Sequence, residues 1–199
     1  MTPVPLIVGL GGTTRAGSTS EQALQVALKR ARALGCETVA LTGTGLPTEI
    51  YDPARPERSA AALSLVDALR RADGVLIASP AYHGGLSGLV KNALDFIEDL
   101  RADERIYLHG RAVGSIVCAE GPQAMGSTLA SLRAIVHTLR GWPTPFGATL
   151  NSSTKPFGGE GQNADAGAIK ACETVAEEVV AFARMSRALR AEVLAGAAV

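Results

Sequence analysis

The sequence predicts a three-layer α/β sandwich in which helices cover both faces of one parallel β-sheet. Two features of the 199-residue chain lead to this prediction: it contains five short apolar runs that are continuous rather than alternating, and amphipathic segments with helical spacing separate these runs. Continuous apolar runs are typical of strands buried on both faces, as in parallel sheets. Since strands and helices alternate along a chain of this length, we expect a single α/β domain.

The predicted strands cover residues 6–10, 38–41, 74–78, 112–119 and 146–150. Right-handed crossovers arrange five parallel strands most simply in the order 2-1-3-4-5, which is the flavodoxin-like order of a doubly wound sheet. Half of a Rossmann fold is the alternative arrangement. In both arrangements the carboxyl ends of the strands meet at one edge, where open α/β sheets bind their ligands.

Apolar residues recur at helical spacing between and after the strands, and polar residues occupy the opposite side. The positions that define the five predicted helices are Leu24, Ala27, Leu28, Ala31 and Leu34; Leu63, Val66 and Leu69; Leu89, Ala93, Leu94 and Ile97; Leu129, Leu132, Val136 and Leu139; and Ile169, Cys172, Val175, Val179 and Phe182. We expect residues 1–185 to form one flavodoxin-like domain, and residues 186–199 to form a C-terminal helical extension or a frayed tail. Residues 42–58 and 151–163 are predicted loops, and the second could move over a binding site.

Charge and cysteine content argue against several classes of partner. The chain carries 19 basic and 19 acidic residues, so it lacks the net positive charge that binding to nucleic acid or an anionic membrane favours. Cys36, Cys118 and Cys172 lie far apart, without a neighbouring Cys or His at metal-ligand spacing. We therefore expect no metal site, no disulfide framework and a reducing, cytoplasmic location. The apolar run near the N-terminus is too short for a signal peptide or a membrane span.

The loop after the first predicted strand, residues 11–20, is rich in glycine and hydroxyl side chains and leads directly into a helix. A helix N-terminus attracts anions, because its unpaired N–H groups and the positive end of the macrodipole face them. The side chains that can donate hydrogen bonds to a phosphate there are Thr13, Arg15, Ser18, Thr19 and Ser20. Neither a nucleoside-triphosphate P-loop nor a G-x-G-x-x-G dinucleotide fingerprint is present in this loop. A terminal phosphomonoester is the better match, and an ordinary Ser- and Thr-rich helix cap is the alternative.

Two further loops follow predicted strands at the same edge of the sheet. Tyr82 offers a flat face, His83 offers an imidazole that could act as an acid or base, and the backbone of residues 80–85 can present N–H groups to the edge of a ring. We expect His83 to position the ligand rather than to act as an acid or base. Residues 120–126 form a glycine-bearing turn that provides the opposite wall. One loop for a phosphate and two for a flat polar ring describe a mononucleotide such as FMN.

These motifs are similar to those of the NAD(P)H-dependent FMN reductases, a family of flavodoxin-like proteins. The family's first loop commonly reads Ser-x-Arg-x-x-Ser-x-Asn, which this chain follows with Thr13 for the first Ser and Ser20 for Asn. The second pattern, Pro-x-Tyr-x-Gly-x-x-x-Gly-x-x-Lys-Asn-x-x-Asp, is matched by Pro80, Tyr82, Gly84, Gly88, Lys91, Asn92 and Asp95. The resemblance extends from about residue 6 to about residue 150. We expect Lys91 and Asn92 to face solvent or a neighbouring subunit.

The resemblance implies noncovalently bound FMN, NADPH or NADH as the hydride donor, and a homodimer or homotetramer whose neighbouring subunit helps to close the site. The residues that it implies around FMN are Thr13, Arg15, Ser18, Thr19, Ser20, Pro80, Ala81, Tyr82, His83, Gly84, Glu120 and Gly121. A partner monooxygenase could use the reduced flavin, although residues 126–133 lack the inserted aromatic or His that reductases of desulfonating monooxygenases often have.

Three functions compete on this evidence. The first is an oxidoreductase that passes electrons from NAD(P)H through FMN to free flavin, a quinone or another small acceptor. The second keeps the flavin but assigns it a dedicated organic substrate in a biosynthetic pathway, with His83 as a proton donor or acceptor. The third is a flavodoxin-type electron carrier without a substrate of its own. Such carriers are usually strongly acidic, whereas this chain has a formal net charge of zero.

Overall fold

The computed structural model of the protein describes residues 4–159 and 163–196. Within these residues, strands and helices alternate as the sequence predicts. The strands are β1 Leu6–Gly11, β2 Glu37–Thr42, β3 Gly74–Tyr82, β4 Gly85–Leu86, β5 Ala112–Ala119, β6 Trp142–Pro143 and β7 Ala148–Asn151. The α-helices are α1 Thr19–Ala33, α2 Ala60–Arg71, α3 Gly88–Asp95, α4 Pro122–Thr138 and α5 Ala166–Gly196. Short 3₁₀ turns are present at Gly43–Gly45, Phe96–Leu100 and Ser152–Thr154.

One sheet forms the middle layer, with parallel strands in the order β2-β1-β3-β5-β6. β7 also pairs in parallel with β5, beyond β6, so β6 and β7 together occupy the fifth position. The register places Gly11 at the end of β1 level with Ala78 of β3, and Pro80 of β3 level with Cys118 of β5. The predicted three-layer flavodoxin-like fold, with the order 2-1-3-4-5, is confirmed.

Apolar cores lie on both faces of the sheet. One contains Val75 and Ile77 of β3 and is covered by α2, α3 and α4. The other contains Leu76 and Ala78 and is covered by α1 and α5. Successive residues of β3 enter opposite cores because side chains alternate across a strand. This double burial explains why the strand reads as a continuous apolar run.

The buried face of α2 differs from the prediction at one position. Leu63 is 59% exposed, whereas Ala62, Leu65 and Leu69 are fully buried. Positions 62, 65, 66 and 69 follow the i, i+3, i+4, i+7 spacing of a helix face, and Leu63 lies outside that stripe. The prediction that Leu63 belongs to the core is therefore wrong, and Val66 and Leu69 are placed correctly.

The fifth strand position is interrupted, so the prediction of one strand at residues 146–150 is wrong at its start. β6 pairs with the amino end of β5, and β7 pairs with its carboxyl half. Pro143 and Pro145 lack the N–H that a continuous ladder requires. Side chains satisfy the backbone between the two pieces: Arg133 donates a hydrogen bond to the carbonyl of Pro145 (2.7 Å), and Glu178 accepts one from the N–H of Phe146 (2.9 Å).

The C-terminal helix α5 includes most of the segment that is predicted as an extension or frayed tail. It is helical as far as Gly196, and residues 197–199 lie outside the described residues. Arg187 and Arg190 of this segment both form ion pairs with Asp73, whose side chain is nearly fully buried. These pairs attach the end of α5 to the start of β3. The domain boundary at residue 185 stays a prediction.

Asn92 fastens the loop before α2, and the expectation that it faces solvent or a neighbouring subunit is wrong. Its side chain is buried in α3. The amide oxygen accepts a hydrogen bond from the N–H of Tyr51 (2.9 Å), and the amide nitrogen donates to the carbonyls of Pro47 (3.1 Å) and Glu49 (2.8 Å). One side chain thus satisfies three backbone groups of the 47–51 segment.

We expect Asn92→Ala to lower the free energy of unfolding by about 2 kcal/mol. The substitution removes the amide that forms hydrogen bonds with backbone groups of the 47–51 segment, and these groups then lack a hydrogen-bond partner in the folded state. Lys91→Ala is the matched control in the same turn. Lys91 is half exposed and forms only an ion pair with Asp95 (2.6 Å), which is worth roughly 0.3–0.5 kcal/mol. Urea denaturation followed by far-UV circular dichroism measures both losses, and equal losses would contradict the role of Asn92.

The described residues contain no helix that combines the length and the apolar character needed to cross a bilayer.

Cys36, Cys118 and Cys172 are free thiols, and all three are buried. Burial raises the pKa values of Cys118 and Cys172 to about 12. Both side chains are therefore neutral thiols near pH 7 and act in the core as small apolar groups.

Candidate functional site

A cavity of about 520 Å³ opens at the carboxyl edge of the sheet, where β1, β3 and β5 end. This volume lies within the range of about 300–1,000 Å³ that is typical of small-molecule sites. The residues that line it are Thr13, Arg15, Ser18, Thr19, Ser20, Pro80, Ala81, Tyr82, His83, Cys118, Ala119, Glu120, Gly121, Ala124 and Ser152. The structure therefore brings together all the predicted cofactor contacts except Gly84.

Gly11 allows the first loop to leave the sheet directly beside β3. Its φ angle is +146°, and a Cβ atom at this position would lie 1.9 Å from the carbonyl oxygen of Ala78. Only glycine accommodates both the backbone angle and this approach. The N–H of the next residue, Gly12, donates a hydrogen bond to the same carbonyl (3.0 Å). The first loop is thereby held against β3.

Two buried serines lie at the start of α1. Ser18 is the N-cap residue, and its hydroxyl oxygen accepts a hydrogen bond from the N–H of Glu21 (3.3 Å). Ser20 is also buried, and its hydroxyl oxygen lies 3.4 Å from that of Ser18. Because both residues line the cavity, their hydroxyl groups can donate to an anion there. The N–H groups of the first helical turn and the macrodipole favour the same charge.

Arg15 supplies the positive charge of this loop. Its side chain is exposed at the cavity. Thr13 orders the backbone here, since its hydroxyl oxygen accepts a hydrogen bond from the N–H of Arg15 (3.1 Å). The Glu21 carboxylate accepts hydrogen bonds from the N–H of Gly17 (2.7 Å) and the hydroxyl of Thr42 (3.0 Å). This part of the cavity suits a phosphate group.

The second loop is a β-hairpin, and the prediction that the third strand ends at residue 78 is wrong. β3 continues to Tyr82 and pairs antiparallel with β4. His83 (φ +53°) and Gly84 (φ +83°) form a two-residue turn, and positive φ angles at both positions are what a type I′ turn requires. The carbonyl of Gly84 accepts a hydrogen bond from the hydroxyl of Ser127 (3.1 Å), which ties the turn to α4. The contact of Gly84 with the cofactor stays a prediction.

The rest of the cavity suits a flat ring. Tyr82 is 55% exposed and presents an aromatic side chain on the hairpin. Opposite the hairpin, the end of β5 and the start of α4 contribute small residues, Ala119, Gly121 and Ala124, which leave room between the walls. Glu120 is exposed and places a negative charge at this wall.

Cys118, Ala119 and Ser152 line the cavity although they are not among the predicted site residues, and Ala124 belongs to the wall predicted at residues 120–126. The first two belong to a predicted strand, and they reach the site because β5 ends there. Ser152 lies in the 151–163 loop, for which a position over a site is predicted. Residues 160–162 of that loop lie outside the described residues.

Sequence comparison identifies the family and one distant relative. The sequence profile of a family described as NADPH-dependent FMN reductase matches residues 5–155. An iron-sulfur flavoprotein from Archaeoglobus fulgidus is 27% identical over 160 residues, which cover 74% of this chain and 81% of that protein. The profile match includes both loops that carry the sequence motifs and the end of β5.

Solved structures of flavoenzymes share the fold. FerB from Paracoccus denitrificans, a flavoenzyme NAD(P)H:(acceptor) oxidoreductase, has a TM-score of 0.72 at 19% identity, with 92% of this chain and 99% of that chain covered. The apo form of the NADH:FMN oxidoreductase EMOB has a TM-score of 0.66 at 18% identity, with 89% of each chain covered. Since the family profile matches about three-quarters of its length, the chain belongs to the NADPH-dependent FMN reductase family and is a flavin-dependent oxidoreductase.

Proposed function

We propose that the protein binds FMN noncovalently at the carboxyl edge of the sheet and transfers hydride from NAD(P)H to free flavin, a quinone or another small acceptor. The observation that carries this proposal is the division of the cavity into two environments. Arg15, Ser18 and Ser20 surround the start of α1, and the hairpin with Tyr82 and His83 faces the small residues after β5. A phosphate and a flat ring require these two environments. FerB and EMOB, which are both oxidoreductases, support the reaction class.

Each part of the cavity has a role in this proposal. Arg15 and the hydroxyls of Ser18 and Ser20 hold the phosphate by charge-assisted hydrogen bonds. The hairpin after Pro80 and the turn after β5 hold the ring between them. Bound FMN supplies the hydride chemistry, and the protein supplies orientation and access. The exposed Tyr82 and Glu120 border the open side of the cavity, where the hydride donor and the acceptor would bind in turn.

His83 favours a second candidate, a flavoenzyme with a dedicated organic substrate. It lines the cavity and holds a positive φ angle, which is uncommon for a residue other than glycine. A side chain held in this way could transfer a proton to or from a bound substrate. The electron-carrier alternative is the weakest of the three, because the matching family is described as an NADPH-dependent reductase.

We expect His83→Asn to change NAD(P)H oxidation with free FMN by no more than about threefold, because general acid–base groups that matter contribute about a hundredfold or more. Asparagine tolerates the positive φ angle, so the hairpin is retained. His137→Asn, at an exposed position of α4, is the control. Stopped-flow absorbance separates the reductive from the oxidative half-reaction. A large loss with one organic acceptor alone would establish the second candidate.

A homodimer or homotetramer is part of the proposal. α3 and α4 form a groove of about 330 Å³ on the surface, and its lining includes the apolar residues Leu94, Ile135 and Leu139. Ala124, in the first turn of α4, lines the cavity, so a subunit bound along this groove would lie close to the cofactor. Sedimentation of the FMN-loaded protein tests the oligomeric state.

We also propose a cytoplasmic location, which the three free thiols support.

The proposed function is tested with purified protein in one cuvette. We expect the protein to carry yellow flavin and to oxidise NADH or NADPH only when FMN is present. Free FMN, riboflavin and a soluble quinone are then compared as acceptors. The rates of oxidation of NADH and of NADPH in the same assay give the donor preference. Protein that retains no flavin, together with NAD(P)H oxidation that is unaffected by added FMN, would contradict the proposal.

A further inference from the structure

A second groove lies at the amino edge of the sheet, beside the last turns of α5. It encloses about 470 Å³, and its apolar part consists of Trp142, Phe182, Met185 and Leu189. Trp142, Met185 and Leu189 are each more than half exposed, and the rings of Trp142 and Phe182 lie 5.7 Å apart. Apolar side chains concentrated in one exposed groove are typical of a binding surface.

The groove is basic at one end. Arg105, His109 and Arg190 line it, and no carboxylate is among the described residues that line it. The buried Asp73 lies behind Arg190, which contacts it at 2.9 Å, and Arg187 forms a second ion pair with the same carboxylate. The single carboxylate of Asp73 therefore pairs with both of these arginines of α5, and Arg105 adds a further positive charge.

Arg111 shows how the fold accommodates a buried guanidinium in the same region. It is fully buried, and it donates hydrogen bonds to the carbonyls of Arg70 (2.8 Å), Ala72 (3.0 Å) and Tyr107 (3.0 Å). All of its nitrogen atoms have acceptors. Arg105 differs, because only its Nη1 atom donates, to the carbonyl of Ala72 (3.0 Å).

The remaining nitrogen atoms of Arg105 have the geometry of a carboxylate site. Its Nε and Nη2 atoms, and Nη1 of Arg190, are buried without a hydrogen-bond partner among the described residues. Nε and Nη2 form one edge of the guanidinium, which can bind a carboxylate through two parallel hydrogen bonds. Burial and the neighbouring Arg190 lower the pKa of Arg105 to about 10, so it stays charged at neutral pH. Buried polar groups without partners are rare, which points to a missing acceptor.

We propose that this groove binds a small organic anion whose carboxylate lies between Arg105 and Arg190 and whose apolar body lies on Trp142 and Leu189. The unpaired nitrogen atoms are shielded from water, so binding requires a side chain at the edge of the groove to move aside. The site shares no lining residue with the FMN cavity and does not depend on the proposed function. A second copy of the chain is a poorer occupant, because it would bring its own arginines against these.

The experiment uses the emission of Trp142, which is the only tryptophan in the sequence. FMN-loaded protein is titrated with 3-phenylpropionate and with its uncharged analogue, 3-phenylpropionamide. We expect a saturable change in emission with the acid, and at least tenfold weaker binding of the amide, since the charge-assisted contacts are lost. Arg105→Gln should weaken binding of the acid about tenfold, and Arg101→Gln, an exposed arginine nearby, should leave it unchanged.

Leu189→Asp keeps the proposal testable if Arg105→Gln does not fold. Leu189 is 62% exposed, so an aspartate is tolerated there but places a negative charge in the groove and should prevent binding of the acid. Leu63→Asp, which changes a similarly exposed leucine on α2, is the control and should bind the acid normally. Equal binding of acid and amide, no saturable change with either, or normal binding of the acid by Leu189→Asp would overturn the proposal.

Discussion

Gly11→Ala should destabilise the fold by about 3–5 kcal/mol and abolish FMN binding. The added methyl group would lie 1.9 Å from the carbonyl oxygen of Ala78 and 2.8 Å from its carbonyl carbon. Both are backbone atoms of β3, so a side-chain rotation cannot relieve the contact. The strain of a positive φ angle adds to the cost of the overlap. The first loop would have to separate from β3, and with it the hydrogen bond from the N–H of Gly12.

Gly17→Ala is the matched control in the same loop. Its φ angle is +69°, but a Cβ atom there would meet no atom within 4 Å. The expected cost is therefore only the left-handed conformation, about 1–2 kcal/mol. Urea denaturation measures both free energies of unfolding, and flavin fluorescence measures FMN retention. If the two substitutions cost the same, the backbone contact at Gly11 does not determine the position of the loop.

Arg15→Gln should weaken FMN binding by roughly 10- to 100-fold and leave the fold intact. A charge-assisted hydrogen bond contributes about 1.5–3 kcal/mol, and the arginine side chain is exposed without a hydrogen bond to the rest of the described chain that the fold would lose. Lys29→Gln is the control, because Lys29 is an exposed cation on the outer part of α1. Titration of apoprotein followed by flavin fluorescence gives the dissociation constants.

Riboflavin makes this test specific for the phosphate. It has the ring of FMN without the phosphate, so Arg15→Gln and the unchanged protein should bind it equally well. The effect of the substitution should thus appear with FMN and disappear with riboflavin. A similar loss of affinity for both ligands would show that Arg15 supports the loop or contacts the ring, which would contradict the proposed phosphate contact.

The predicted site agrees closely with the cavity because its residues are local to strand ends. Ser18 and Ser20 lie where the loop after β1 enters α1, and Tyr82 and His83 lie at the end of β3 and in the turn that follows it. Parallel strands deliver their carboxyl ends to one edge, so the fold class alone brings these loops together. For Ser152 the sequence predicts only that the 151–163 loop could lie over a site, and the course of the chain after β7 decides which residue of that loop lines the cavity.

Predictions from the sequence are wrong where two chain conformations are compatible with the same residues. The hairpin at Tyr82 and Gly85 has polar, turn-rich residues that also describe an irregular loop, and only pairing with β4 distinguishes the two. The fifth strand is divided because two prolines remove ladder donors, and Arg133 and Glu178 from other elements satisfy the freed backbone.

By itself the sequence predicts the sandwich, the order of its strands and the edge at which the candidate site lies. Continuous apolar runs, helical spacing and loop chemistry are local properties, and the handedness of crossovers converts them into a topology. Only the tertiary structure decides that Asn92 binds the 47–51 segment and that Asp73 pairs with the end of α5. It also decides that Arg105, in the groove with Trp142, has nitrogen atoms without a partner in the part of the chain that the structure describes. Each of these features depends on groups that are distant in sequence and come into contact only when the chain packs. The numbers of hydrogen-bond donors and acceptors that come together at such a contact produce no periodic pattern in the sequence.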